Sequence, residues 1–492
     1  MPAAMKAPKT ALETELLWID GRRREAASGQ TLADINPASG ETIAMVAQGG
    51  PEDVDLACLA AAKAAKGPWG KTTASQRARV LFKAAELVRQ RVDELAALET
   101  RDTGKPLGEA RGELGYVADV FEYYAGAASR HFGETIPVSN SGVALTLREP
   151  VGVCALIVPW NFPAVIAAWK LGPALACGNT VVLKPAQETP LTALKLGELF
   201  AEAGLPEGVL NVVPGPGPGC GDRLAAHPLV RKVSFTGSTA TGRSIMRGAA
   251  DTIKRVTLEL GGKSANIVFD DIADLDFVVE KSLWSVYGNA GQDCCARSRA
   301  LVHHKIYDKF VEKFVARARR VVVGDPLKKG VEVGPLISAK QRDRVLEYLK
   351  VGDDEGCERL CGGEQPKSGP MAKGFFLTPA VLAGANAQMR VFQEEIFGPV
   401  VSFTPFKTEE EAIALANDSQ YGLSGSIWTR DSGRALRMAK AVQSGNLSVN
   451  SASSVFLEAP FGGFKTSGLG RELGMKALEN YSETKNIFIS DR

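Results

Sequence analysis

Short continuous apolar runs alternate along this chain with longer amphipathic stretches. The runs Val153 to Val158, Thr180 to Leu183, Val209 to Val213, Lys232 to Phe235 and Ala265 to Val268 predict strands, and Leu191 to Ala203 and Pro218 to Ala226 between them predict helices. A second series follows Asp270, with helices expected at Asp274 to Tyr287 and Tyr307 to Val321 and strands near Val400 to Phe403 and Ser424 to Trp428. Strands that alternate with crossover helices form parallel sheets, so the pattern predicts an α/β fold with two such units.

Two segments break the alternation. Residues 133–150 alternate polar and apolar positions around Asn140-Ser141-Gly142, a hairpin signal, and Tyr481 to Ser490 reads as another strand. Open edges of this kind are commonly covered by a second subunit.

The length of 492 residues and the 45% hydrophobic content support more than one core. Lys and Arg total 58 against 56 for Asp and Glu, so nothing in the net charge of +2 favours nucleic acid or a membrane surface, and a small molecule is the expected ligand. Met1 to Lys9 lacks the apolar core of a secretory leader, and the most apolar region, Val151 to Gly178, is interrupted by Pro159, Pro163, Lys170 and Pro173. Eight scattered cysteines fit a reducing compartment, and a cytoplasmic protein is expected. Cys357 and Cys361 lack a second ligand pair; a surface loop is the expected reading and no metal site is assigned.

Chemistry concentrates in Tyr287-Gly-Asn-Ala-Gly-Gln-Asp-Cys-Cys-Ala-Arg-Ser-Arg299, where an expected helix ends in glycines before adjacent cysteines. Such a cysteine is either buried packing or a thiol that substrate reaches. The four histidines, His131, His227, His303 and His304, form no catalytic motif, which disfavours a Cys-His pair; His303 and His304 read as a partly exposed strand edge. A carboxylate acting through water remains, and Glu259 lies between leucines before Gly261 and Gly262; burial there would raise its pKa and suit general-base work, while the plain alternative is a surface glutamate. Gly215-Pro-Gly-Pro-Gly-Cys-Gly221 misses the standard dinucleotide spacing. Gly237 to Ser244 follows a strand and opens a helix like a phosphate loop, with Arg243 where a lysine would stand, which argues against triphosphate hydrolysis; an unliganded helix cap is the alternative.

In order along nearly the whole chain, Trp18-Ile-Asp-Gly21, Ile35-Asn-Pro-Ala-Ser-Gly-Glu41, Asp102-Thr-Gly-Lys-Pro106, Pro159-Trp-Asn-Phe-Pro163, Lys184-Pro-Ala-Gln187, Phe235-Thr-Gly-Ser238, Leu258-Glu-Leu-Gly-Gly-Lys263, Gly291-Gln-Asp-Cys294, Glu394-Glu-Ile-Phe-Gly-Pro399 and Pro460-Phe-Gly-Gly-Phe-Lys465 resemble the aldehyde dehydrogenase superfamily. The resemblance implies two Rossmann-like α/β domains with a small β oligomerisation element: a dinucleotide-binding domain over 1–127 and 151–261, a catalytic domain over 262–465, and the oligomerisation element over 128–150 and 466–492. It implies a homodimer or homotetramer that oxidises a small-molecule aldehyde with NAD or NADP.

By the same resemblance, Cys294 is the nucleophile, Asn161 and the Cys294 N–H hold the oxyanion, Glu259 activates the hydrolytic water, and Lys170 belongs to the catalytic set. A glutamate at 259 argues against the CoA-acylating branch. Val158, Pro159, Trp160, Lys184, Gln187, Gly217, Gly221, Phe235, Gly237, Ser238, Leu260, Glu395 and Phe397 match cofactor positions. Gln187 stands where NAD-preferring relatives often carry glutamate, so NADP is expected to be accepted. The substrate tunnel is expected near Phe162, Trp169, Asp293, Cys295, Phe456 and Glu458. The carboxylates of Asp293 and Glu458 suggest an amino-aldehyde, the aromatics an apolar chain, and a semialdehyde is also open; Asp293 is equally read as a helix cap. A non-catalytic dinucleotide-binding or structural relative is the alternative, and the joint presence of Cys294, Glu259 and Asn161 argues against it.

Overall fold

The computed structural model describes residues 14–491. The segment Met1 to Lys9, read above for a leader, lies outside the described residues, as does Arg492. Two mainly parallel sheets organise the chain. In the first, β1 (Val153–Ile157), β2 (Thr180–Lys184), β3 (Leu210–Val212), β4 (Val230–Thr236) and β5 (Arg255–Glu259) run in the order β5-β4-β1-β2-β3 with parallel neighbours. In the second, β6 (Ala265–Val268), β7 (Arg299–His303), β8 (Ala380–Ala383), β9 (Val400–Phe406), β10 (Ser424–Trp428) and β11 (Asn446–Val449) run in the order β8-β9-β7-β6-β10-β11, again parallel. Every residue of β1, β2, β6, β7 and β10 is buried, as expected for parallel strands covered on both faces.

Helices α1 (Leu107–Ala127) and α2 (Pro163–Ala176) pack against each other beside the first sheet. Pro163 opens α2 at a position where no N–H is needed, and all 14 residues of the helix are buried. Helices α3 (Thr239–Ala250) and α4 (Leu275–Tyr287) begin under side-chain caps from Ser238 and Asp274.

The small third sheet joins the two segments that broke the alternation. Ser482–Ser490 pairs antiparallel with Gly142–Pro150 over its whole length, from Ser482 opposite Pro150 to Ser490 opposite Gly142, and Thr135–Ile136 adds a short arm on the other side. The expected extent of this element is corrected at one end: Gly468–Leu469 pairs with β5, and Leu473, Ala477, Leu478 and Tyr481 are buried in the first core, so the tail joins the small sheet only from Ser482.

Other expectations shift locally. Pro218 to Ala226 is not one helix, because extended Pro218 (ψ 129°) and left-handed Gly219 (φ 89°) break its first half and leave only Asp222–Ala226 regular. The helix from Tyr307 stops at Ala318. Cys357 is buried against the Met389 sulfur at 3.5 Å and Cys361 ends a strand, so neither lies in a surface loop. His303 is buried at the end of central strand β7 instead of lying on an edge.

Candidate active site

The turn after α4 presents the adjacent cysteines. Asn289 (φ 47°), Ala290 (φ 55°) and Gly291 (φ 72°) are left-handed in succession, and a Cβ on Gly291 would stand 2.1 Å from the Gly398 carbonyl oxygen. Only glycine fits there. The Gln292 side chain anchors the turn: its Oε1 accepts from the Ile337 N–H at 2.9 Å and its Nε2 donates to the Asn289 carbonyl at 3.2 Å. Gly262 lies beneath the result, since a Cβ at that position would be 2.3 Å from the Cys294 carbonyl oxygen.

Cys294 is half-buried, and its backbone N–H makes no hydrogen bond among the described residues. Its thiol is pushed well above the usual cysteine range, first by a hydrogen bond with the Cys295 thiol and then by burial, with the charges of Asp293 and Glu395 adding to both. The Asp293 carboxylate and the two sulfurs have ligand atoms within 4.8 Å of one another. Opposite the turn, the Asn161 side-chain amide donates to the Gln292 carbonyl at 2.9 Å. The Asn161 carbonyl is held in turn by Lys105 Nζ at 3.0 Å and Asn289 Nδ2 at 2.9 Å.

Cys294 opens into a cavity of about 710 Å³ walled by Tyr116, Phe162, Val165, Ile166, Trp169, Trp284, Val455 and Phe461. Glu259, Asp293, Cys295 and Arg297 share that wall. Both carboxyl oxygens of Glu259 are buried without a hydrogen-bond partner among the described residues. Burial pushes this carboxyl well above the usual carboxylate range, the Glu472 charge adds to the rise, and Lys170 opposes it. Lys170 is fully buried, pairs with Glu472 and donates to Ser234 Oγ at 3.0 Å. It therefore lies behind Glu259 in the charge network and does not line the cavity.

A second group of positions gathers at the C-terminal ends of the first sheet's strands, where α/β folds take up ligands. Val158, Pro159 and Trp160 follow β1, Lys184 ends β2 and Leu260 follows β5. Phe235 lies near the end of β4, followed by Gly237 and by Ser238 at the α3 N-terminus. A Cβ on Gly237 would approach the Phe235 ring to 2.5 Å, while Gly217 has open space around it. One on Gly221 would meet the Lys184 stem at 3.5 Å. The backbone is thus left bare before a helix N-terminus, a geometry that fits a pyrophosphate. Lys184 Nζ donates to the Pro185 carbonyl at 3.0 Å and Gln187 Nε2 to Gln48 Oε1 at 2.7 Å. Between this cradle and Cys294, Glu395 accepts from the Gly262 N–H at 2.9 Å, and the Trp160 and Phe397 rings meet edge to face at 5.2 Å.

The Aldehyde dehydrogenase family model matches residues 24–487. The chain belongs to the aldehyde dehydrogenase family. It is 44% identical to betaine aldehyde dehydrogenase of Bacillus subtilis (strain 168), covering 96% of this chain and 97% of that one. It superposes on the NAD+ complex of betaine aldehyde dehydrogenase from Staphylococcus aureus with a TM-score of 0.94 at 40% identity, over 96% and 94% of the two chains. With the NAD+ complex of aldehyde dehydrogenase from Bacillus cereus the TM-score is 0.95 at 42% identity, over 97% of each chain. The protein is accordingly a nicotinamide-dependent aldehyde-oxidising enzyme.

Within this aldehyde dehydrogenase, Phe162, Trp169, Asp293 and Cys295 meet around Cys294, but two expected tunnel residues do not. Phe456 is 56% exposed and, with Glu458, lines a neighbouring cleft beside Tyr116 and Tyr123. The reason is local: in the irregular loop after β11, Ser453, Ser454 and Val455 face the cavity and the chain then turns outward. Asp293 both lines the cavity and accepts from the Cys295 N–H at 2.8 Å, so the cap reading and the cavity reading hold together. Sequence reasoning missed the α1 contribution of Glu109, Glu113 and Tyr116, which recur at helical spacing on one face, and missed Arg297.

Proposed function

We propose that Cys294 attacks the aldehyde carbon, that Asn161 and the Cys294 N–H take up the charge developing on oxygen, and that Glu259 directs water at the resulting thioester. The aldehyde carbon is already electrophilic, so sulfur addition comes first and creates the oxyanion from which hydride can leave. A dinucleotide held by Lys184, Gln187, Ser238 and Glu395, with Gly217, Gly221 and Gly237 leaving room for it, supplies the hydride acceptor. The Cys294 sulfur leaves as thiolate when the Glu259-directed water adds, and the product is a carboxylic acid. Water, not coenzyme A, is the acyl acceptor because a carboxyl group is available beside the nucleophile.

The observation carrying this reading is the Glu259 carboxyl, buried without a protein partner in the same cavity as Cys294. A buried carboxyl without a partner is costly and belongs where a water or a proton is to be handled. The test is Glu259→Gln. Reduced nicotinamide should form in one stoichiometric burst and then stop as acyl-enzyme accumulates; steady turnover at the wild-type rate would remove Glu259 from the mechanism.

Gln187 brings no negative charge to the adenosine ribose, which supports acceptance of NADP beside NAD; initial rates over a concentration series of each test it, and a preference for NAD above about a hundredfold counts against it. Residues 1–127 with 151–261 bind the dinucleotide, 262–465 supply the catalytic domain, and 128–150 with Ser482 to Ser490 mediate a homodimer or homotetramer. Among the described residues no helix is long and apolar enough to cross a membrane; the eight scattered free cysteines support a reducing, cytoplasmic location. The amino-aldehyde expectation rested on Asp293 and Glu458; of these only Asp293 lines the cavity, with its carboxylate already accepting a backbone N–H.

A further inference from the structure

Arg297 lies in the cavity wall three residues beyond the nucleophile and is 4% exposed. Its Nε donates to Ser426 Oγ at 3.2 Å, its Nη1 to the Cys295 carbonyl at 2.8 Å and its Nη2 to Ser454 Oγ at 2.9 Å. All three acceptors are neutral. A guanidinium has five N–H donors, so each terminal nitrogen keeps one more to give. Among the described residues no carboxylate is ion-paired with it, although a buried charge is costly unless paired.

The acids of the same wall are differently placed. Glu113 is ion-paired with Lys105. Asp293 accepts from the Cys295 N–H and is the carboxylate that feels the Arg297 charge. Glu109 accepts from the Asn289 backbone, and burial holds both it and Glu259 toward the protonated form. Each acid is therefore paired, hydrogen-bonded or disposed to be neutral. Arg297 is thus the cation of this wall that bonds only neutral acceptors and has N–H donors to spare, and exposed Lys281 on the same lining adds a second cation.

We propose that Arg297 is a specificity-determining residue that receives the carboxylate of an aldehyde-acid, the two free N–H groups of its terminal nitrogens facing the two carboxylate oxygens. The inference rests on the reading of Cys294 as nucleophile and names the substrate class of that site. The apolar wall houses the carbon chain between the two ends, and Lys281 draws the anion toward the cavity.

The experiment compares kcat/KM for 4-oxobutanoate and 5-oxopentanoate with butanal and pentanal in wild type, Arg297→Gln and Arg297→Lys. The wild type should favour the acid at equal chain length. In Arg297→Gln the acid-to-neutral ratio should fall roughly 10- to 100-fold, the worth of a hydrogen bond between charged groups, chiefly through KM, and Arg297→Lys should keep most of it. A wild-type ratio at or below one, or the same ratio in Arg297→Gln, overturns the proposal while leaving the aldehyde oxidation intact. Failure of the wild type on all four aldehydes would instead overturn the reading of Cys294 and the proposal with it.

Discussion

The Asn161 side-chain amide donates one hydrogen bond to the Gln292 carbonyl at 2.9 Å, which fixes the plane of the amide against the turn that carries Cys294. An amide nitrogen has two N–H groups, so the second is left to point where an oxyanion would form. Among the described residues the Cys294 backbone N–H is the other unengaged donor. Asn161→Ala should therefore lower kcat by about 10²–10³, the usual cost of losing one oxyanion donor. Alkylation of Cys294 by iodoacetamide should proceed in the variant, because the thiol stays accessible. Wild-type kcat in Asn161→Ala would exclude the amide from the reaction.

The pairing of Lys170 with Glu472 should dominate local stability. Both are buried and share Ser234 Oγ, which in turn accepts from Thr257 Oγ1, so removing one partner strands the other charge. Lys170→Met should cost about 3–5 kcal/mol of unfolding free energy. The double variant Lys170→Met, Glu472→Gln should recover part of that loss, because no charge is then left alone. A double variant less stable than both singles, in a denaturant series, would show that the pair contributes through packing instead.

The pH profile follows from Glu259. Its carboxyl is held well above the usual range, mainly by burial, and must be ionised to take a proton from water. Deacylation, isolated by single-turnover mixing, should rise with pH through that elevated value and lose this dependence in Glu259→Gln. Linkage sets the stability slope: a carboxyl raised in the folded state contributes fully below its unfolded pKa, and the contribution is lost as pH rises through the folded value. Replacing Glu259 by Gln should flatten the loss of stability over that window. A deacylation profile unchanged by the substitution would assign the titration to another group.

How far the sequence could be read depended on periodicity. β6 and β10 lie at the expected positions because fully buried parallel strands give unbroken apolar runs. The expectation of a cofactor site at Gly217, Gly221 and Gly237 came only from motif order, since these glycines do not keep the standard spacing. The loop after β11 was the opposite case. Phe456 and Glu458 looked like tunnel residues, but an irregular backbone has no fixed period, and nothing in the sequence tells Val455 facing inward from Phe456 facing out. Likewise α1 was not among the expected helices, and which of its faces meets the cavity depends on how it packs against α2.

Gly262 offers a geometric test of the nucleophile's position. Its missing Cβ would lie 2.3 Å from the Cys294 carbonyl oxygen, a backbone atom that cannot swing aside as a side chain end can. Gly262→Ala must move the turn from Asp293 to Cys295, and a displacement near 1 Å is enough to cost about 10² in rate. Turnover should fall accordingly, and the rate of Cys294 alkylation should change with it. Unchanged kcat would mean that the turn has slack and that the fit at Gly262 does not hold the nucleophile.

The small sheet leads to a prediction about assembly. Val143, Leu147 and Ile489 share one face of the sheet by their register, Phe488 and Ile136 share the other, and all five are exposed. Apolar side chains grouped on a sheet with open edges are expected to be covered by a partner. A Val143→Lys, Ile489→Lys double variant puts two charges into that patch, from opposed positions in the register. Light scattering coupled to size exclusion should find the wild type as a dimer or tetramer and the variant as a smaller species. Because Cys294 and Glu259 lie in a different part of the fold, the dissociated variant should still be alkylated at Cys294. Equal masses for the two proteins would move the subunit contact away from this sheet.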